Sequence, residues 1–423
     1  MPSTCVKLAP EVAGVGASVY ARAAMNQPSD INLDAVIVGG GIAGMWLLNL
    51  LAAKGYRVIA LEASELGCEQ TLASQGMIHG GLKYALSGTL THASEAIAGM
   101  PERWRACLSG QADVDLSGLE PLSEHYYLFA EATTLGKLTT FFASKALRGR
   151  INKLDRADFP AALDVPQFNG SVYELQDFVL NTGSLLERLL TPVHHLAFRE
   201  QLKSPQVERA DSGYRLQLGT QTVKTNKLIL CAGAGIQALL DGLGIAELKM
   251  QLRPLQQMVV RHDFPHPLFG HCLTGVRRAE PRLTITSHSA PDGSWLWYIG
   301  GQLASQGAAL EQGELIAHTR QELATCIPWV DWNRAEFTAL RIDRAEPEQT
   351  HGKRPDEAFA VEIDDCLVCW PTKLSLAPDL GDRVLAILPD PCRDTDDPTG
   401  LDLPHATVGI APWERSEQAR SAR

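Results

Sequence analysis

The chain has 423 residues, enough for two or three domain-sized units, and 45% hydrophobic with 21% charged residues is an ordinary globular composition. A formal net charge of -11 argues against nucleic acid as a partner, but leaves room for a small anionic substrate, whose binding depends on local charge. Nine scattered cysteines, an odd number, exclude a simple disulfide framework and point to free thiols in a reducing, cytoplasmic setting.

Residues 1–30 are Ala-rich, with Lys7 and Arg22 as their only cations and no clear apolar secretion core, so they read as a flexible extension in which Met25 offers an alternative start. The chain's organising stretch follows, Asp34 to Glu62. A short apolar strand, Ala35–Val38, runs into Gly39, Gly41 and Gly44 in a GxGxxG pattern. An apolar helix continues to Ala53, and a second strand, Arg57–Leu61, ends on Glu62. Gly39 permits the tight turn, Gly41 clears space for a pyrophosphate, and Gly44 lets helix and strand pack closely. The helix N-terminus would meet the phosphates, and Glu62, 18 residues after Gly44, would accept ribose hydroxyls. Ala35–Ala53 carries no charge and could be mistaken for a membrane span, but its strand-like opening and three consecutive glycines oppose that and no transmembrane segment is expected.

Ala63–Leu72 reads as a loop, and Ala73–Tyr84 as a second one wrapped closely round a ligand. Leu90–Leu108 has helical spacing that Pro101 breaks or restarts. A strand is expected at His125–Ala130, a helix at Thr134–Leu147, a strand at Val172–Phe178, and a helix at Thr182–His195 with Thr182 as its N-cap. Strands follow at Gln206–Ala210, Tyr214–Leu218 and, buried, at Lys227–Gly235. Leu252–Val260 is a strand interrupted by Pro254. Leu283–His288 and Ser294–Ile299 flank a hairpin turn at Ala290–Gly293. Glu311–Cys326 is helical, Phe337–Asp343 a strand, Cys366–Trp370 a strand, and Leu374–Leu388 a helix. The Pro- and Asp-rich tail from Pro389 reads as irregular. The Cys366/Cys369 CxxC reads as strand, because no second pair completes a metal site; no metal is expected.

These pieces predict an α/β fold: a Rossmann-like unit from 31–89, 171–243 and 352–388, interleaved with an α+β unit from 90–170 and 244–351 built on a mostly antiparallel sheet, with a tail at 389–423.

Four blocks then resemble the FAD-dependent D-amino-acid oxidase superfamily: VIVGGGIAGMWLLNLLAAKGYRVIALEAS; SQGMIHGGLKY; KLILCAGAG; and GKRPD with PTKLSLAPDLGDRV. The second is similar to the IHGGLRY-type segment of glycerol-3-phosphate dehydrogenases and the IHAGIYY-type segment of L-2-hydroxyglutarate oxidases. The resemblance implies FAD. It places Gly39, Gly41 and Gly44 at the pyrophosphate and Glu62 at the ribose. Ser74 and Gln75 would lie near the phosphates, Gly80 and Gly81 near the isoalloxazine, and Val207 near the adenine. Ala232 and Gly233 would sit on the ribityl side, and Lys373, Leu374 and Ser375 would start a helix aimed at the flavin pyrimidine ring, where a helix N-terminus favours negative charge.

It further implies an oxidase or dehydrogenase that moves a hydride to flavin N5 from a C–N or C–OH carbon of a small polar, carboxylate-bearing substrate, with oxygen, a quinone or a partner protein as electron acceptor. His79 is the candidate base, and Arg354 the candidate carboxylate anchor. Thr286, His288 and Tyr298 lie on strands that would wall the pocket, with Lys83 and Tyr84 at its edge. Trp370-Pro371-Thr372 and Leu255-Gln256-Gln257 depart from the amino-acid oxidase pattern. A glycerol-3-phosphate-dehydrogenase-like enzyme at a membrane surface, a flavin-binding electron-transfer or tailoring subunit, and a bare NAD-binding protein stay open.

Overall fold

The computed structural model describes residues 30–81, 96–131, 151–273, 281–350, 355, 357–392 and 396–421. The helix expected at Thr134–Leu147, and Lys83, Tyr84 and Arg354, lie outside these.

Two eight-stranded sheets organise the chain. In the first, the strands run in the order Phe359–Ile363, Cys366–Trp370, Gln221–Leu230, Ile31–Val38, Val58–Glu62, Ala197–Arg199. Neighbours are parallel except for the first pair. The hairpin strands Tyr214–Leu218 and Val207–Arg209 branch off antiparallel. The opening helix, Ile42–Ala53, covers one face of this sheet, and every residue from Ile42 to Leu51 is buried. That explains the uncharged run. Helix Ala377–Ile387 crosses it at Gly381, where a Cβ would sit 2.7 Å from Leu50 Cδ2, and Trp46 packs on Trp104 with centroids 4.8 Å apart. Asn49 alone is polar in the middle turns; its amide donates to Met45 O and Leu189 O, both at 2.8 Å. Among the described residues no helix is long and apolar enough to cross a membrane.

The second sheet runs Glu336–Pro347, Met250–His262, Trp295–Gly300, Leu283–Ser289, Gly270–Cys272, Tyr126–Glu131, Gly170–Leu175, Ile151–Lys153. It is antiparallel except where Gly270–Cys272 meets Tyr126–Glu131. Alternation gives it two apolar faces. Met258, Val260, Ile285, Trp297 and Ile299 pack with helix Gln312–Cys326, whose N-terminus carries a Glu311–Glu314 capping box. Val259, Leu296 and Tyr298 point the other way, into the core shared with the opening helix.

Several expectations are corrected. Val172–Phe178 is two strands: Gly170–Leu175 belongs to the second sheet, and after a turn at Gln176–Asp177, Phe178–Val179 pairs with Met77–Ile78. The cap of helix Thr182–Leu190 is Asn181, whose Oδ1 accepts Ser184 N–H at 3.0 Å, while Thr182 is buried and its hydroxyl donates to Leu72 O. Pro192, lacking an N–H, turns the expected continuation into a 3₁₀ segment, Thr191–Leu196. Pro254 does not interrupt its strand. It pairs only with Asp343 on one side, because the other neighbour begins at Met258. The restart expected at Pro101 is present: it sits in the first turn of helix Met100–Leu108. Cys366 and Cys369 point into different cores on opposite faces of their strand, which rules out a shared ligand.

Among the described residues the tail is irregular up to Ala411, apart from a 3₁₀ turn at Pro398–Gly400, yet it is pinned to the fold. His405 pairs with Phe198 at the edge of the first sheet, and Val408 with Leu66. Helix Pro412–Ser421 then reaches the second sheet, where Glu417 pairs with Arg261 and Trp413 stacks on His288 at 3.8 Å and 19°. The tail thus straps the two sheets together. Burial pushes the His288 imidazole down to about 3, and His262 likewise to about 4, so both are neutral in the fold.

Trp413→Ala is expected to destabilise the protein by about 3–5 kcal/mol, the usual loss for a buried Trp, read from urea midpoints. Because the two histidines bind protons less readily folded than unfolded, the stability they contribute is complete above about pH 6.5 and is lost as pH falls towards their folded values. His288→Phe, which keeps the stack, should flatten the acid side of a plot of urea midpoint against pH; an unchanged slope contradicts the assignment.

Candidate active site

The first strand, Ile31–Val38, lies between Gln221–Leu230 and Val58–Glu62, and the chain leaves all three at their carboxyl ends, where ligands bind in open α/β sheets. Gly39 turns the chain with φ +110°. A side chain there would lie 2.5 Å from Cys231 O, and one on Gly44 1.8 Å from Gly39 O, so strand, turn and helix touch through backbone. Gly41 is different: a Cβ would meet only Thr71 Oγ1, at 3.1 Å. The helix starts at Gly41 with no side-chain cap and no acid in its first turn, which leaves the positive dipole end suited to an anion. Thr71 Oγ1 accepts Ile42 N–H at 2.9 Å, which leaves the hydroxyl proton available to a phosphate oxygen.

Glu62 accepts Gly40 N–H at 2.7 Å and Ser64 N–H at 3.0 Å, one on each oxygen. The Ser64 hydroxyl adds a second bond to Oε1 at 3.3 Å, so Oε2 is the oxygen with room for a ribose hydroxyl. Ala232 and Gly233 follow Cys231, whose N–H donates to Val38 O at 2.7 Å, so they border the same turn. These features fit a dinucleotide. Val207 does not join them. It is level with Leu216, Val223 and Ile31, seven residues behind Val38, or roughly 20 Å along the strand. The segment beside Glu62 is the one after Arg199: Glu200 N–H donates to Glu62 O at 2.8 Å.

The loop from Ala73 to Gly81 carries the other predicted residues. Ser74 Oγ accepts Gly76 N–H at 3.4 Å. The Gln75 amide donates to Thr284 O at 3.0 Å and Tyr298 O at 2.9 Å. His79 N–H donates to Ser375 Oγ (3.1 Å), Gly80 N–H to Asp177 Oδ1 (2.8 Å) and Gly81 N–H to His79 Nδ1 (3.2 Å). Ser375 also bonds Met77 O and, through its carbonyl, the Trp104 indole. His79, Gly80, Gly81 and the Lys373–Ser375 segment are therefore brought together. Thr372, where a glycine is usual, takes φ +60° and donates its hydroxyl to Glu357 O.

Across from this loop stands the second sheet. Leu128, His271, Thr284 and Gly300 are in register across four strands, so their side chains share one face. Gly300 identifies which one: its Cβ would fall 2.6 Å from Gln75 Oε1. His271 and Thr284 thus face the loop. His271 Nδ1 is 3.0 Å from Thr284 Oγ1, and the ring meets Tyr126 edge-on at 4.8 Å. His271 is half-buried. Nothing in the short segment FGHC marked it in advance, because its partner is 13 residues away across a strand pair.

Tyr298, on one of the strands expected to wall the pocket, is a buried tie. Its hydroxyl lies 2.8 Å from Ala73 O and 2.9 Å from Gln257 Oε1, and burial raises its pKa well above that of an ordinary phenol. Tyr126 is shifted the same way by burial, against two backbone carbonyls that accept its proton. Neither supplies a phenolate. Thr286 and His288, on the neighbouring strand, are likewise buried within the fold.

Comparison with known proteins agrees with this architecture. A probable FAD-dependent oxidoreductase of Pseudomonas aeruginosa is 42% identical over 392 residues, 92% of this chain and 99% of that one. The crystal structure of the P. aeruginosa FAD dependent oxidoreductase superposes with a TM-score of 0.77 at 35% identity, over 92% of this chain and 99% of that one. Two more distant structures share the fold. L-α-glycerophosphate oxidase from Mycoplasma pneumoniae, with FAD bound, gives 0.61 at 14% identity over 90% and 100%. Glycine oxidase from Geobacillus kaustophilus gives 0.58 at 17% over 86% and 97%. The sequence profile of the FAD dependent oxidoreductase family, DAO, matches residues 34–344, and the chain belongs to that family: it is an FAD-dependent oxidoreductase that acts on a small molecule and passes electrons to an acceptor.

Proposed function

We propose that the enzyme oxidises a small polar, carboxylate-bearing substrate at a carbon carrying a hydroxyl or an amine. The observation behind this reading is the His271–Thr284 pair on the sheet face that meets Gln75, a polar face set against the loop that leads to His79. FAD, when bound, supplies the hydride acceptor at N5.

In this reading the N-terminus of the opening helix, with Gly39, Gly41 and Gly44, holds the pyrophosphate, and Glu62 the ribose. Ser74, Gln75, Gly80, Gly81, Ala232, Gly233 and Lys373–Ser375 shape the flavin side. Arg354 pairs with the carboxylate in the two-pronged geometry that guanidinium favours. An alcohol substrate must lose its hydroxyl proton, whereas an amine can bind already neutral. His271, half-buried with its Nδ1 on Thr284 Oγ1, is in this reading the proton acceptor for an alcohol. The described cysteines are free thiols, which suits a reducing, cytoplasmic site. Glycerol phosphate is the second reading, supported by the fold shared with glycerophosphate oxidase; a phosphate would then take the place of the carboxylate at Arg354.

The test is anaerobic bleaching of the bound flavin with amino acids, hydroxy acids and glycerol phosphate. Bleaching by a hydroxy or amino acid supports the first reading, by glycerol phosphate alone the second, and by none of them neither. With a bleaching acid, Arg354→Ala should raise KM ~100-fold, the loss of a charge-assisted pair; an unchanged KM removes Arg354 from the site. His271→Asn should slow flavin reduction by an alcohol about 10²–10⁴-fold, the usual range for a lost acid–base group, and reduction by an amine far less.

Gly41→Ala is expected to fold normally and to weaken FAD binding at least ~10-fold, because the added methyl enters the space left for phosphate. Fluorimetric FAD titration of the apoprotein reads this directly, and wild-type affinity in that variant would move the pyrophosphate elsewhere.

A further inference from the structure

Six consecutive residues of the tail, 404–409, lie against the outside of two segments that shape the cofactor cradle. The first is the edge strand Ala197–Arg199, where Arg199 is level with Glu62. The tail runs antiparallel along the open side of that strand. Arg199 N–H donates to Pro404 O at 2.7 Å and Ala406 N–H to Ala197 O at 3.0 Å, while the His405 ring stacks on Phe198 at 5.1 Å and 24°. An edge that would otherwise present bare backbone groups is thus closed one strand away from Glu62.

The second segment is the loop of residues 65–71. Leu66 N–H donates to Thr407 O at 2.8 Å, and Gly409 N–H to Leu66 O at 3.0 Å, so both backbone groups of Leu66 are held by the tail. The approach is close because Gly409 has no side chain. A Cβ there would lie 3.1 Å from Leu72 Cδ1 and 3.3 Å from the Cβ atoms of Cys68 and Glu65. The Leu66 side chain is fully buried and points at the glycine turn: a Cβ on Gly40 would sit 2.3 Å from Leu66 Cδ2. Gly40 N–H is the group that donates to Glu62 Oε2. At the other end of the loop, Thr71 Oγ1 accepts Ile42 N–H at the start of the opening helix. The tail is fixed on either side of this stretch, by Leu401 buried under the first sheet and by Trp413 stacked on His288 of the second.

We infer that residues 404–409 are a positioning segment of the FAD site. They act through Leu66, which transmits the docked tail to the glycine turn, and through the strand beside Glu62. Retention of the cofactor and docking of the tail are then one linked equilibrium, in which each favours the other by the same factor. The inference rests on the proposed placement of the pyrophosphate at Gly41 only for which part of FAD feels the loop.

The test uses the full-length, FAD-loaded enzyme. Gly409→Leu drives a side chain into Leu72, Cys68 and Glu65 and should lift the tail from the loop. On dilution, flavin released into solution, read by its fluorescence, should appear about 5–150-fold faster, the range typical of two coupled sites. Amide exchange should rise in residues 63–72 as well as in 404–411. His405→Ala, at an exposed position that does not threaten folding, should give the same two changes in smaller degree. Leu323→Ala, in the core on the far face of the second sheet, controls for general loosening: it should lower the urea midpoint and leave flavin release unchanged. Wild-type release from Gly409→Leu or His405→Ala despite faster exchange at 404–411 overturns the inference, and so does release from Leu323→Ala as fast as from Gly409→Leu. Gly41→Ala separates this role from the phosphate placement. Wild-type affinity there with fast release from Gly409→Leu moves the pyrophosphate and leaves the tail its role; weak binding there with wild-type release from Gly409→Leu refutes the tail's role alone.

Discussion

One side-chain amide holds the site together. Gln75 leaves the cofactor loop and donates both of its hydrogens to the second sheet, to Thr284 O and Tyr298 O. It fits because Gly300 has no side chain where Gln75 Oε1 lies. The amide is partly buried, and two directed bonds of this kind fix orientation as well as distance. Everything that faces the loop from the second sheet, including His271, takes its position from that contact. The Tyr298 hydroxyl near Ala73 O repeats the tie one residue pair further along the strands, and the Trp413–His288 stack closes it at the far end. The two sheets meet along a line of specific contacts rather than across a bare apolar surface.

That line also shows which parts of the fold were legible in the sequence. The strand–glycine–helix unit is a local pattern: Gly39 takes a positive φ and Gly44 packs on Gly39 O five residues before it, although Gly39 also abuts Cys231. The strands around Tyr298 and the helix Gln312–Cys326 were visible for the same reason: alternation, a turn signal and a capping pair are short-range facts. What was missed required long-range information. The tail reads as irregular because its Pro and Asp content disfavours isolated structure. Its pinning comes from edges supplied some 200 residues away or more, at Phe198 and Leu66. The Thr182 cap failed by one position, since Asn181 was equally able to cap and only packing placed the threonine inside.

The site divides in the same way. Gly39, Gly41, Gly44 and Glu62 sit where the motif placed them, because a motif of this kind is a statement about local backbone. Val207 was assigned by resemblance alone, and its strand pairing sets it level with Ile31, at the far end of the first strand from the glycine turn. Gln75 was read as a cofactor contact, yet its amide hydrogens are taken by the second sheet. What it offers a ligand is therefore the placement of its neighbours. His271 and Thr284 become a pair only once four strands are in register, and that depends on the whole sheet.

The two histidines near the loop show why residue type alone does not assign chemistry. His79 is bonded at Nδ1 by a backbone N–H and His271 by a threonine hydroxyl. The first partner has a single role. The second can donate or accept by rotating about one bond, so the Nδ1–Oγ1 contact of His271 survives whichever ring nitrogen carries the proton, whereas the Gly81 contact of His79 does not. A proton acceptor must be able to change protonation state, and a charge-stabilising donor does best when it cannot. The loop and the sheet therefore hold their histidines differently: one on backbone anchored to the last helix, the other on the sheet that Gln75 ties to the loop.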